Sequence, residues 1–191
     1  MPAKPQPPLK SNDSVYELHV VLARSEPPIW RRLQVRGDTT LAKLHTILQV
    51  AMGWEDCHLH QFDISGEQYA SRDSGLEDTA DTSRARLNRV VPQTRMKFLY
   101  EYDFGDGWAH VITVKKIHPA GAVAWKHPVC VAGARACPPE DSGGVWGYEH
   151  LLEVVNHPRH PEHEEMLEWL GEGFDPEAFD LEAINARLRK L

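Results

Sequence analysis

The chain has 191 residues, of which 28 are acidic and 21 basic, for a formal net charge of −7, and 41% of it is apolar. That length allows a single sizeable core, and the composition is that of an ordinary globular protein. No apolar run approaches the roughly 20 residues needed to cross a bilayer, which excludes a helical membrane span.

Met1 to Pro8 holds four prolines and no hydrophobic stretch, so it does not read as a secretory signal. Residues 1–12 are expected to be a disordered lead and 13–191 a single domain. Val15 to Leu22 alternates and is rich in strand formers; after the stiff Pro27-Pro28 turn, Ile29 to Val35 returns as its antiparallel partner. Trp30, Arg32 and Gln34 fall on one face of that second strand, and Arg31, Leu33 and Val35 on the other.

Leu41, Leu44, Ile47, Leu48 and Ala51 have helical spacing. The spacing predicts a helix over 40–52, capped by Asp38 or Thr39, ended by Gly53 and covered by Trp54. A short strand is expected at Leu59 to Ile64. Gly66 to Leu87 is polar and aperiodic and reads as a long loop. Met96 to Asp103 and Trp108 to Ile117 form the best hairpin, with glycines in the connection supplying positive φ. Pro119 to Pro139 reads as irregular. Residues 145–191 read as a helical part, with segments at Tyr148–Val155, Glu162–Leu170 and Asp180–Leu191 broken by proline and glycine. Strands first and helices last predict an α+β fold, an antiparallel sheet built on hairpins near 15–36 and 96–117.

Charge is unevenly spread. Glu140 to Leu191 carries thirteen acidic residues against four basic ones, whereas the rest of the chain carries fifteen against seventeen. An acidic tail repels phosphate backbones. A basic patch at Arg84, Arg86, Arg89, Arg95 and Lys97 leaves a weaker nucleic-acid reading. Three cysteines in a chain without a signal suggest free thiols in a reducing compartment, the cytoplasm.

Two stretches are rich in acids, glycines and aromatic rings: Tyr100 to Trp108, and Cys137 to Gly144 followed by Trp146, Gly147 and Tyr148. Converging carboxylates hold hard cations such as Mg²⁺ or Ca²⁺, which makes Asp103, Asp106, Glu140 and Asp141 the metal candidates, with Glu101 beside them. Asp-Gly turns also form for purely local reasons. No cofactor is expected beyond such a divalent cation. The binding candidates are Asp103, Asp106, Trp108, His110, Glu140, Asp141 and Tyr148. Histidines form a second set, His58 and His60 together with His157, His160 and His163, but Cys130 and Cys137 lie too far apart in sequence for a usual structural zinc pair. Ser142 lacks the frame of a hydrolase elbow. Trp30, Trp54, Trp108 and Trp146 flank turns and are expected to pin element ends in the core.

Taken in order, Pro28-Ile29-Trp30-Arg31-Arg32, Leu44 to Gln49, Gly53-Trp54, His58 to Phe62, Tyr100 to Trp108, Cys137 to Gly144 with Gly147-Tyr148, and Phe174-Asp175-Pro176 with Phe179-Asp180 make the chain similar to the plasmid pRiA4b ORF-3-like family, also labelled insertion-element passenger TnpR proteins. The resemblance implies an α+β domain carried by plasmids, mobile elements and chromosomes, with no assigned activity and no catalytic residues to transfer. One departure is Ser142-Gly143-Gly144-Val145, where the family pattern carries a second cysteine and a proline. A serine recombinase needs a nucleophilic serine among arginines and a DNA-binding tail, and the acidic C-terminal part does not supply one. The favoured expectation is therefore a non-enzymatic binding module for a protein or peptide. The alternatives are a metal-dependent phosphoesterase or nuclease using the acidic turns with His110 in support, and a DNA-linked accessory of a mobile element. Nothing in the sequence sets the oligomeric state.

Overall fold

The computed structural model describes residues 14–122, 126–171 and 173–191; the expected disordered lead lies outside them. Strands β1 (Val15–Leu22) and β2 (Trp30–Arg36) form the first hairpin. Helix α1 spans Leu41–Met52, and β3 (His60–Ile64), β4 (Glu67–Ala70), β5 (Ala80–Asp81) and the one-turn helix α2 (Leu87–Val90) follow. Then come β6 (Lys97–Tyr102), β7 (Trp108–His118), β8 (Val129–Ala134), α3 (Gly144–Asn156), α4 (His163–Leu170) and α5 (Leu181–Leu188). All eight strands lie in one sheet of order β5-β4-β3-β6-β7-β1-β2-β8, antiparallel except for the short parallel pair β4–β5. The fold is α+β.

Alternation decides which face is covered. Leu18, Val20 and Leu22 of β1, Leu33 and Val35 of β2, Phe98, Tyr100 and Tyr102 of β6, and Trp108, Ile112 and Val114 of β7 point to one face and are buried. Leu41, Leu44, Ile47 and Leu48 of α1 close that face. Each such side chain, fully buried, stabilises the fold by about 1.5–3 kcal/mol. Helix α5 packs on both α1 and the edge strand β8. Arg31 is the one cation on the covered face of β2: its guanidinium donates to Ala51 O, Trp30 O and Ala134 O and lies 5.0 Å from the Phe179 ring centroid. It thereby ties the end of α1 to the last strand, where helix carbonyls favour a cation.

Several boundaries differ from expectation for local reasons. Thr40, not Asp38 or Thr39, caps α1, accepting from Lys43 N; Asp38 is instead paired with Arg36 at 2.8 Å. Gly53 ends the helix in the left-handed region as expected. The expected loop over 66–87 contains β4 and β5 and ends where α2 begins; Ser65 and Gly66, with φ of 58° and 84°, make a two-residue β3–β4 hairpin turn that the polar composition hides. β8 occupies part of the stretch expected to be irregular. Its register shifts beside β2, and Gly133 leaves room for the Phe179 ring, which a Cβ would overlap. In the β6–β7 connection the positive φ falls on Asp103 (58°) and Gly107 (67°), not on Gly105. Trp54 and Trp108 are buried, but Trp146 is 72% exposed, since it lies on the outer side of α3 and pins nothing. No helix among the described residues is long and apolar enough to cross a membrane.

Candidate functional site

The two acid-glycine turns meet. Asp106 Oδ2 accepts the Gly143 N–H at 3.0 Å, at the start of α3. Gly144 lies so close against the Asp106 carbonyl that a Cβ would overlap it, and its φ of +69° favours glycine in any case. Gly147 is required in the same way, by Ser142 O. The second turn is further held by Trp54, whose Nε1–H donates to Pro138 O, and by the Ser142 hydroxyl, which donates to Pro139 O.

At this junction the chain leading into β3 presents His58, separated by Leu59 from the first strand residue His60, and antiparallel pairing of His60 with Tyr102 brings it beside the end of β6. His58 Nε2 lies 3.1 Å from Asp141 Oδ1, 3.6 Å from Asp103 Oδ2 and 3.9 Å from Glu140 Oε2. The atom is buried and takes no hydrogen bond, because Asp141 Oδ1 is near but off the line of the N–H. Asp103 is only 7% exposed. Its N–H donates to Leu59 O, and its Oδ1 accepts from Gly105 N at 2.9 Å, which leaves Oδ2 for the side facing His58. Glu140 is oriented through Oε1, which accepts from Glu55 N (2.9 Å) and from the Tyr102 hydroxyl (3.1 Å), while its Oε2 is buried without a partner. The Tyr102 oxygen in turn accepts from Cys57 N, and the Cys57 thiol lies 3.6 Å away. Burial pushes the Tyr102 phenol far up, helped by Cys57 and Glu140, so it stays a donor.

A second cluster lies beneath α1. His45 Nδ1 is 2.7 Å from the Tyr100 hydroxyl and its Nε2 is 2.7 Å from Asp56 Oδ1. Gln49 donates to the same hydroxyl and accepts from Asp56 N. The His60 ring stacks on His45 at 3.4 Å between centroids, and burial, with His45 next to it, pushes His60 down to about 4.

Of the expected site residues, Asp103, Glu140 and Asp141 converge, and His58 joins them. Asp106 does not: its carboxylate holds the start of α3. Trp108 and His110 are fully buried in the core and Tyr148 nearly so, which removes all three from the surface cluster; their alternating positions face the covered side of the sheet or the underside of α3. Glu101 alternates to the open face, away from Tyr102. The late histidines bond locally, His157 to Glu153 O and His163 to Val154 O, with His160 accepting from Glu162 N. The three cysteines are free. His58 was visible in the sequence only as one of a histidine pair; the pairing of β3 with β6 was the missing signal, since it alone brings His58 to Asp103.

The family model described as plasmid pRiA4b ORF-3-like protein matches residues 14–183. The chain belongs to the plasmid pRiA4b ORF-3-like family. It is 38% identical over 181 residues to the uncharacterized protein y4hQ of Sinorhizobium fredii, covering 93% of this chain and 92% of that one. It also superposes on the crystal structure of MM3350, a protein of unknown function from Methanosarcina mazei Go1, with a TM-score of 0.78 at 39% identity, over 88% of this chain and 96% of that one.

In this pRiA4b ORF-3-like chain the departure at Ser142 lies outside the converging group, as its hydroxyl is bonded to Pro139 O. Two clefts flank the second turn. One, of about 400 Å³, lies between α3 and α4 and is lined by Asp141, His150, Glu162, Glu165, Met166 and Trp169. The other, of about 420 Å³, is lined by Gly53, Cys137, Pro138, Glu140, Trp169 and Phe174. Trp169 is 51% exposed and is shared by both.

Proposed function

We propose that the protein is a non-enzymatic binding module that takes a cationic segment of a partner protein or peptide in the cleft between α3 and α4. The observation that carries the reading is the pairing of an apolar floor with an acidic rim: Met166 and Trp169 beside Asp141, Glu162 and Glu165. Glu162 is already paired with His150 at 3.0 Å, whereas the Glu165 carboxylate has no side-chain partner among the described residues. A lysine or arginine supplies what this arrangement needs, an aliphatic stem for the indole and methionine and a charged head for the carboxylates. Exposed tryptophans at the centre of such a surface contribute most to affinity. The acidic character of the whole C-terminal part steers the same class of partner. The three free thiols support work in a reducing compartment, the cytoplasm.

The nucleic-acid reading has less support, since Arg86 donates to Asp38 O and Arg84 lies 3.7 Å from Asp81, itself close to Arg72.

The test is calorimetric titration with a short peptide alternating lysine and leucine, against the same peptide with glutamate for lysine. The lysine peptide is expected to bind, and Trp169→Ala to weaken it by about thirtyfold, near 2 kcal/mol. Equal binding of both peptides, or no effect of Trp169→Ala and Glu165→Gln, refutes the reading.

A further inference from the structure

We infer that the junction of the two turns is a binding site for one divalent transition-metal ion of the zinc class, held by His58, Asp103 and Asp141. The inference is independent of peptide binding in the neighbouring cleft. Three observations carry it. The ligand atoms of these three residues all lie within 4.8 Å of one another, and the two closest approaches to His58 Nε2 are 3.1 and 3.6 Å. Metal–nitrogen and metal–oxygen bonds of about 2.0–2.2 Å place neighbouring ligands roughly 3.0–3.5 Å apart, close to the two approaches made to His58 Nε2. The 3.1 Å approach is also within hydrogen-bond range, yet His58 Nε2 makes no hydrogen bond there.

The second observation is that the atoms facing the centre are the ones the fold leaves without hydrogen bonds. His58 Nε2 and Glu140 Oε2 are buried and unpartnered. Asp103, more than nine-tenths buried, has Oδ1 bound to Gly105 N and directs Oδ2 to the same place. A buried polar group without a partner costs about 1–3 kcal/mol, and a positive ion beside these two unpartnered atoms offsets that cost. A proton on His58 serves one carboxylate; a dication joins His58 to Asp103 and Asp141 at once.

Third, the residues come from three separate parts of the fold, the entrance to β3, the β6–β7 turn and the loop before α3. Asp103 and Asp141 both stand at positive φ, 58° and 55°. Such conformations persist where the surrounding structure over-determines them.

One imidazole with two carboxylates selects zinc, manganese or ferrous iron over the all-oxygen sites of Mg²⁺ and Ca²⁺. Three protein ligands leave coordination positions open, and Asp141, with its side chain 73% exposed and lining the α3–α4 cleft, puts the open side toward that cleft. Glu140 Oε2 lies 3.9 Å from the same His58 Nε2, and Cys57, His58 and Glu140 form an overlapping triplet.

The experiment is titration of metal-stripped full-length protein with Zn²⁺, followed by native mass spectrometry, with Co²⁺ as a spectroscopic probe. Expected are one ion per chain, visible Co²⁺ bands altered by His58→Ala, and at least tenfold weaker Zn²⁺ binding in His58→Ala and Asp141→Asn. Asp106→Asn, which changes the α3 start and not a ligand, is expected to leave affinity unchanged. Asp141→Asn decides the matter should His58→Ala fold poorly, because its side chain is the most exposed of the three. Unchanged Zn²⁺ affinity in Asp141→Asn, equal binding of Mg²⁺, or no stoichiometric adduct would overturn the inference.

Discussion

Two histidine–carboxylate clusters lie one after the other along the same short segment, and they differ in saturation. In the inner one, Asp56, His45, Tyr100 and Gln49 satisfy each other: both ring nitrogens of His45 have partners at 2.7 Å, and the Tyr100 hydroxyl serves His45 and Gln49 together. In the outer one, His58 approaches Asp141, Asp103 and Glu140 less closely, at 3.1, 3.6 and 3.9 Å, and buried atoms are left without hydrogen bonds. The same residue types thus give a closed network that holds α1 on the sheet and an open one that calls for a ligand. Chemistry by residue type does not separate them; the ring nitrogens of His45 and His58 do, although His60 Nε2, stacked on His45, is also buried without a partner.

The comparison breaks most visibly at Tyr100. Tyr100→Phe removes the shared hydroxyl and strands His45 Nδ1 and a Gln49 N–H in the core. The expected loss is about 3–4 kcal/mol, from two buried groups at roughly 1–3 kcal/mol each, seen as a lower denaturant midpoint with unchanged slope. The outer cluster should respond differently: the His58→Ala and Asp141→Asn variants made for metal binding are expected to unfold within about 1 kcal/mol of the parent. A loss at His58 matching that at Tyr100 would mean that both clusters are scaffolding.

Much of this architecture is legible in the chain. The alternation of β1, β2, β6 and β7 and the periodicity of α1 follow from burying one face, and Gly53 marks its helix end by backbone freedom alone. β4, β5 and β8 were not legible, because strands of two to six residues with Gly and polar positions at or next to the sheet edges are stabilised by their pairing rather than by their own sequence. The site was half legible. Asp103, Glu140 and Asp141 stand out as acids in glycine-rich turns, but Asp106 looks identical in sequence and differs only in that Gly143 takes its carboxylate. Trp108 and His110 flank the turn in sequence, yet strand alternation turns both into the core.

His110 sharpens the contrast through pH. It is fully buried, with Nδ1 near Tyr100 O and its ring edge-on to Trp54, and burial pushes it down to about 4. The Tyr100 and Trp108 backbone carbonyls favour its charged form, and Arg31 opposes it. The folded value lies below the unfolded one near 6.5, so the unfolded chain binds the extra proton first. The stabilisation from keeping His110 neutral is complete above about 6.5 and is lost as pH falls from there to about 4, by roughly 3 kcal/mol. His110→Phe is expected to flatten the stability profile across that window by this amount. An unchanged profile, measured by denaturation at pH 7, 5.5 and 4.5, would show that another group governs acid unfolding.

The smallest expected effect isolates charge from shape in the outer cluster. Glu140→Gln keeps an oxygen to accept from Glu55 N and the Tyr102 hydroxyl, so the loop before α3 stays anchored and stability changes by no more than about 0.5 kcal/mol. What changes is the second atom. A buried unpartnered carboxylate oxygen beside His58 becomes an amide N–H₂, a donor in place of an acceptor. An amide there removes one negative charge from the surroundings of the proposed ion. Zn²⁺ affinity is expected to fall about threefold to tenfold, less than for loss of a direct ligand, as is usual for groups that orient ligands without touching the metal. A loss equal to that of Asp141→Asn would promote Glu140 to a ligand. No loss at all would leave its buried oxygen as an uncompensated cost of the turn.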